Sequence, residues 1–510
     1  MTNVLFLQPM ILERYGDQKI LTEMLLIWPV YLENYLKSKM NNISCDLLYL
    51  PDEQKQGNIN IDSYNDTDKF AKQMDNLLDN IKLDLTLPSS YICLSLTTSY
   101  YYLSTKMIAD YFQKRYPETV LVAGGAHATA RPNDEYSPID FLILGEGERA
   151  LYEIIRDNYK KQKKTKKIIG KPIEILDDLP KLDLSILNEY SGFYDSLSIS
   201  LSRGCPFNCS FCIEECLANL SNKIKRGRAY SPKRAIEESA RMIDYAEDFN
   251  IDRVGYVDPT FSGGNKEWMR KFIDLWDFDS RVSEVWIESR FDVLNHKMIE
   301  NLQKKQFFNW YGLESTSKEM LRIMNKHINP SSYIKKYNEI LEKHIELEYL
   351  AMNNVIFGHP GETKASLEDS FNGLKGIQKK DSKDVIQFSL RYYHHFPGSH
   401  VYNNIDYYEK KYGTKVCLPF WWEDEDLLQF GPYMVRPSAD LSLCDLIKTF
   451  TKNYGDLVNI SIDNLKSHKS NDTLGKVYIK KKEIQSFKEL GHDLLNFIQQ
   501  KILKKCKICD

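Results

Sequence analysis

The sequence predicts an α/β protein: an open parallel sheet of Rossmann-like type over residues 1–160, a partial (β/α)6 TIM-type barrel over 196–402, and a small, mostly α region over 403–510. Three observations predict it. Short apolar runs alternate with helix-like patterns in two separate series. A basic, aperiodic run from Lys160 to Lys167 divides the series and begins a linker over 161–195, with Leu179-Pro180 as a local stop. After about residue 403 the alternation ends. The length of 510 residues is too great for one average domain, and no short repeat divides it.

The first series has strand candidates at Val4–Leu7, Asp46–Leu50, Tyr91–Leu96, Val120–Gly124 and Asp140–Leu144. Helices are expected over Thr22–Lys39, Lys69–Ile81 and Tyr102–Arg115, and another after Gly147. Ligands of such sheets sit beyond the carboxyl ends of the strands. The second series has candidates at Leu197–Ser202, Arg253–Val257, Val285–Glu288, Phe307–Leu313, Met352–Phe357 and Ile386–Tyr392. Ser231-Pro232 opens its first helix as N-cap and first helical residue, and Ile236, Ala240 and Ile243 mark the buried stripe. Six β/α units in a row predict a barrel whose chemistry lies at the carboxyl ends. In the last region Phe420-Trp421-Trp422 precedes four acidic residues, and 480–505 reads as a basic helix. This region is expected to cap the barrel, its tryptophans either closing over a substrate or packing in a core.

Composition is ordinary for a globular chain, 42% hydrophobic and 27% charged. A net charge of −3 argues against nucleic acid as the main partner. No run of about 18 apolar residues predicts a membrane span. The opening residues lack the basic stretch of a secretory signal; the cytoplasmic location expected for this chain follows from its cysteine cluster, not from any address signal. The ten cysteines do not read as a disulfide framework; three fall within eight residues and two near the C-terminus. In a cytosolic protein such clustering points to metal or redox work.

The decisive stretch is Leu201-Ser-Arg-Gly-Cys205-Pro-Phe-Asn-Cys209-Ser-Phe-Cys212, directly after the first strand of the second series. Its spacing is C-x3-C-x2-C. Three soft thiolates on one loop can each hold one iron of a [4Fe–4S] cube, leaving the fourth iron open for a ligand. The alternative is structural zinc, with Cys216 as a fourth ligand. Cys506 and Cys509 form a separate C-x2-C, read as a redox pair, an auxiliary metal site or a frayed tail.

This loop closely resembles that of the radical S-adenosylmethionine (SAM) superfamily, including Phe211 before the third cysteine and the Arg203-Gly204-Cys205-Pro206 lead-in. The resemblance implies that SAM chelates the open iron, that an electron splits its sulfonium bond to methionine and a 5′-deoxyadenosyl radical, and that Phe211 lies against adenine. Val257-Asp258-Pro259-Thr260-Phe261, Glu288-Ser289-Arg290, Gly312-Leu313-Glu314-Ser315, Gly358–Thr363 and Phe396–Ser399 have counterparts at the same strand ends. Position 259 departs from that pattern, with Pro in place of Asp. The resemblance implies SAM contacts from Ser289, Arg290 and Glu314, with the planar fork of Arg290 suited to the methionine carboxylate. His359, His394 and His395 read as packed or hydrogen-bonding residues rather than ligands.

In the first series Ala123-Gly124-Gly125-Ala126-His127-Ala128-Thr129, Leu144-Gly145-Glu146-Gly147-Glu148 and Ser95-Leu96-Thr97-Thr98 stand at strand ends. They resemble the cobalamin-binding domain of class B radical SAM enzymes, so the resemblance covers roughly residues 1–400. It implies cobalamin contacts from Ser95, Thr97, Thr98, Gly124, Gly125, His127, Glu146 and Gly147. No histidine has Asp two residues before and Gly three after, so His127 is not read as a cobalt ligand. No G-x-G-x-x-G follows the first strand, which counts against NAD or FAD. The implied cofactors are a [4Fe–4S] cluster, SAM and cobalamin. The implied partners are a small-molecule substrate and an electron donor such as flavodoxin or ferredoxin. The implied reaction is methyl transfer to an unactivated carbon; the alternatives are radical cyclisation or rearrangement without methyl transfer, and a non-catalytic corrinoid or iron–sulfur sensor. Methylthiolation is disfavoured, because only Cys45 and Cys93 precede residue 200.

Overall fold

The computed structural model describes residues 2–12, 27–60, 66–220, 227–278, 281–468, 473–503, 506, 508 and 509. Residues 22–26 of the first expected helix, and 504 and 505 of the last, lie outside the described residues.

The first sheet contains β1 (Thr2–Gln8), β2 (Ile43–Tyr49), β3 (Ser90–Ser95), β4 (Val120–Gly124), β5 (Phe141–Leu144) and β6 (Lys166–Ile169), in the order β2-β1-β3-β4-β5-β6. Every pairing is parallel. Val4 and Phe6 of β1 face one apolar core, and Leu5 and Leu7 face another. Burial on both faces explains the near-continuous apolar runs of these strands. The sixth strand corrects the expected linker: Lys166–Ile169 pairs with β5 along its whole length. As an edge strand it tolerates two exposed lysines, which is why the basic run reads as a connector.

The second sheet contains β7 (Ser196–Ile199), β10 (Arg253–Tyr256), β11 (Glu284–Ser289), β12 (Phe307–Glu314), β13 (Ala351–Phe357) and β14 (Ile386–Tyr392), all parallel and adjacent in chain order. A short antiparallel hairpin, β8 (Ser202–Arg203) with β9 (Arg228–Ala229), follows β7. β7 and β14 stand at opposite edges, so the barrel is partial. Strict alternation of buried and half-buried residues in β13 separates an outer face under helices from an inner face toward the lumen. Trp286, Trp310 and Asn354 lie on that inner face. The 232–248 helix begins as expected, with Ser231 Oγ accepting from the Arg234 amide and Pro232 at its first position.

The C-terminal region differs from the expectation of a cap over the mouth. Two long helices, Leu443–His468 and Thr473–Phe497, pack beside the barrel. Phe450 of the first meets Phe357, Phe371 and Tyr392, and Lys480 of the second bonds Gln387 at the edge strand β14. Trp421 and Trp422 are fully buried. They form a core with the first sheet's domain, where Trp421 packs on Tyr100 and Trp422 donates to Asp134 at 3.0 Å. The packing reading of these tryptophans holds. Cys506 and Cys509 do not face each other and are not a free tail: Cys506 stands against Cys417 and Cys509 against Cys444, each pair at disulfide distance. Local spacing could not show these partners, which lie 89 and 65 residues away in the chain.

Candidate functional site

The cysteine loop leaves the carboxyl end of β7 and is tied down on both sides. At its root, Asp258 beyond β10 accepts the Leu201 and Ser202 amides with one oxygen, each at 2.8 Å. Burial pushes this carboxyl up to about 7, against the lowering effect of those two amides. Further along, the Ser210 amide donates to the Met324 carbonyl at 2.8 Å, and Ser210 Oγ meets His359 Nε2 at 2.9 Å. Asn325 Nδ2 donates to the Asn208 carbonyl at 2.8 Å, and the Val401 amide to the Ser210 carbonyl at 3.0 Å. His359 is fully buried and pushed down to about 4 by desolvation, so it serves this loop as a neutral ring. It packs edge-on to Phe211, 6.4 Å between ring centres.

Cys205, Cys209 and Cys212 are free thiols on this clamped loop. Burial raises Cys205 and pushes Cys212 up to about 12. Cys205 and Cys212 therefore stay protonated until a cation offsets the burial cost of their thiolates. Among the described residues no three His, Cys, Asp or Glu side chains stand close enough to chelate a single ion. Three thiols on one loop suit one thiolate per iron of a cube better than a zinc tetrahedron, which takes four closed ligands. Cys216 turns away: its sulfur lies 4.0 Å from the Thr129 carbonyl.

Arg290, Glu314 and Lys326 build a charged floor under the loop. Arg290 donates to both Asp292 oxygens at 2.9 and 2.7 Å and to the Lys326 carbonyl, and its guanidinium stacks 4.0 Å over the Phe207 ring. Through Phe207, Arg290 also grips the cysteine loop. Glu314, at φ 69°, holds Lys326 Nζ at 3.0 Å. A side chain at Gly312 would stand 2.7 Å from the Glu314 carboxylate, so glycine there makes room for the pair. Ser289 Oγ is buried with no hydrogen-bond partner among the described residues, as a group that awaits a polar ligand would be.

A cavity of about 420 Å³ lies between the carboxyl ends of the two sheets. On the first sheet's side Ser95, Thr97, Gly124, Gly125, Glu146 and Gly147 line it. Gly125 has φ 127°, and a Cβ there would stand 2.5 Å from the Leu96 backbone. On the barrel side the wall includes Arg203, Gly204, Glu214 and Pro259. Glu214, two residues past Cys212, is pushed up to about 7 by burial. Two expected residues are absent from the wall. Thr98 is not part of it, and His127 is buried beneath Trp422, bonded to Ser99 at 2.8 Å and pushed down to about 3. No histidine lines the cavity among the described residues. An ion network that sequence reasoning missed crosses it: Arg203 pairs with Glu146 at 3.0 Å and Glu148 at 2.6 Å, and Arg228 also meets Glu146. The lead-in arginine and the G-E-G-E stretch were each visible in the sequence; their contact was not.

Residues 199–373 match the model of the radical SAM superfamily. This chain carries a radical SAM domain. The match starts at the last residue of β7 and runs through β13. An uncharacterized methyltransferase, PH0819, of Pyrococcus horikoshii is 26% identical over 53% of this chain and 60% of its own length. The bacteriochlorophyllide d C-8(2)-methyltransferase of Chlorobaculum tepidum is 24% identical over 52% of this chain and 59% of its own. The chain thus spans a little over half the length of these two relatives. Beyond the radical SAM domain the fold itself has a counterpart. The structure of the radical SAM methyltransferase TsrM from Kitasatospora setae, with cobalamin and a [4Fe–4S] cluster bound, superposes with a TM-score of 0.56 at 14% identity, covering 81% of this chain and 77% of that one. The likeness takes in more of the chain than the radical SAM domain alone.

Proposed function

We propose that this chain is a cobalamin-dependent radical SAM enzyme that transfers a methyl group to an unactivated carbon of a small-molecule substrate. The observation that carries the reading is the shared cavity, whose wall runs from Gly124 and Gly147 of one sheet to Gly204, beside Cys205, and Glu214, beyond Cys212. A cluster on Cys205, Cys209 and Cys212 would leave one iron free of thiolate and supply the electron that cleaves SAM to methionine and a 5′-deoxyadenosyl radical. Cobalamin in the cavity would supply the methyl group. The chain's own residues do the placing. Asp258, Asn325, His359 and Arg290 fix the cysteine loop, and Ser289 Oγ offers SAM an unused hydroxyl. Ser95, Thr97 and the glycines offer a corrinoid polar contacts and close backbone approach. With no histidine in the wall, its lower face would meet no imidazole from the described residues. Arg203 joins the two halves of the wall, so filling the cavity and positioning the cluster loop are mechanically linked.

The reading is tested by anaerobic incubation of reconstituted protein with SAM, a low-potential reductant and candidate substrates. Release of 5′-deoxyadenosine with a product one methylene unit heavier supports it. A product that has only lost hydrogen or rearranged points to radical cyclisation instead. No 5′-deoxyadenosine from cluster-loaded protein points to a sensor.

A further inference from the structure

Four cysteines lie outside the site described above. We propose that Cys417, Cys444, Cys506 and Cys509, as thiols, form a closed four-thiolate site for one divalent metal ion, zinc in preference to an iron–sulfur cluster. The ion would pin the end of the chain to the barrel-side helices.

Cys506 and Cys509 form a C-x2-C unit, the spacing that most often presents two thiolates to one zinc ion. Each faces a different partner instead of its neighbour. Cys506 meets Cys417 with Cα atoms 5.8 Å apart, and Cys509 meets Cys444 at 5.1 Å. The two pairs are held next to one another by the backbone. The Ile508 amide bonds the Cys506 carbonyl at 3.1 Å, which holds Ile508 close to Cys506. The Ile508 carbonyl accepts the Leu443 amide at 3.0 Å, which brings the start of the Leu443–His468 helix, with Cys444, beside them. Cys417 follows a short strand, β15 (Lys415–Val416), paired with β16 (Val435–Arg436), and its amide bonds the Met434 carbonyl at 3.0 Å. Three separate elements therefore bring four sulfurs toward one corner, and Leu443, next to Cys444 in the chain, and Ile508, between Cys506 and Cys509, are buried.

Zinc–sulfur bonds of about 2.3 Å in a tetrahedron set the sulfurs roughly 3.8 Å apart. Cysteines whose Cα atoms stand 5.8 and 5.1 Å apart reach that separation by side-chain rotation alone. Four thiolates and no open corner, two of them in a C-x2-C unit, match a closed zinc site. A sulfur bonded in a disulfide is no longer a thiolate donor, so the ion and the disulfides exclude each other. Binding exchanges thiol protons for the metal ion, with no electron transferred. The site stands on its own residues and does not depend on the function proposed above.

The test uses the full chain, purified without air and with the Cys205→Ala, Cys209→Ala and Cys212→Ala changes, so that iron at the first loop cannot be confused with metal here. The expected result is about one zinc per chain, lost when Cys506→Ser and Cys509→Ser are added. Cobalt(II) added to the metal-free protein should give an intense thiolate charge-transfer absorption. Because the serine variant can misfold, the unmodified chain is also alkylated with and without a zinc chelator. All four cysteines should be protected until zinc is removed, and then react without any reductant. Iron with sulfide at this site, or cysteines that react only after disulfide reduction, would overturn the proposal.

Discussion

Arg203→Gln removes the guanidinium that joins the two sheets' domains. Glu146 keeps Arg228 and the Ile173 amide at 3.0 Å. Glu148 loses its ion-pair partner at 2.6 Å, and its side chain is only 5% exposed. Stranding a buried carboxylate costs about 3–5 kcal/mol when no water reaches it. The Arg203 side chain is 18% exposed, so its removal opens a path for water. The lower end, about 3 kcal/mol, is therefore expected. Adding Glu148→Gln neutralises the stranded group and should recover about 2 kcal/mol, a coupling within the range of contacting residues. Both variants are followed by denaturant unfolding with tryptophan fluorescence, since Trp28 lines the same cavity. A loss under about 1 kcal/mol for the single change, or a double variant no more stable than the single, would refute the claim that this pair bridges a buried interface.

Replacing Cys205, Cys209 or Cys212 by Ala should remove cluster iron and 5′-deoxyadenosine release, while Cys216→Ala should leave the iron content intact, as its sulfur points to Thr129. Gly125→Ala forces a Cβ to within 2.5 Å of the Leu96 backbone at φ 127°. It should cost about 2–4 kcal/mol from conformational strain and overpacking together, and abolish cobalamin uptake measured by absorption. His344 is fully buried, stacks on Tyr349, and is pushed down to about 4 by desolvation. Its folded pKa lies below the unfolded value, so the stability it contributes is present above about pH 6.5 and is lost as pH falls toward 4. His344→Gln should therefore lose about 2 kcal/mol less than the parent chain between pH 6.5 and 5, read from unfolding midpoints at the two pH values.

The strands of both sheets were legible because each is a short apolar run closed by turn residues, and burial on both faces of β1 keeps that run continuous. β6 was not legible, since an exposed edge strand needs little apolar surface and Lys166-Lys167 masks it. The long helix over Leu443–His468 went unread although Leu446, Phe450, Tyr454 and Leu457 repeat at helical spacing; its partners Phe357 and Phe371 lie on the barrel, far back in the chain. The three loop cysteines were legible because their chemistry is local. The Arg203 bridge was not, because Glu146 is 57 residues away and lone charges carry no sign of their partner. Thr98 and His127 stand in stretches that line the cavity, yet side-chain direction at a strand end is set by packing, and Trp422 covers His127. The C-terminal cysteines were seen as a pair, and only the fold supplied the partners that separate them.

The central claim is that the Cys205–Cys212 loop holds a cluster with one iron open to SAM. Electron paramagnetic resonance of the anaerobically reconstituted and reduced protein tests it most directly, with and without SAM, alongside the variant lacking all three thiols. The account predicts a reduced-cluster signal that SAM alters and that the variant lacks. A signal indifferent to SAM, or zinc in this loop in place of iron, would contradict it.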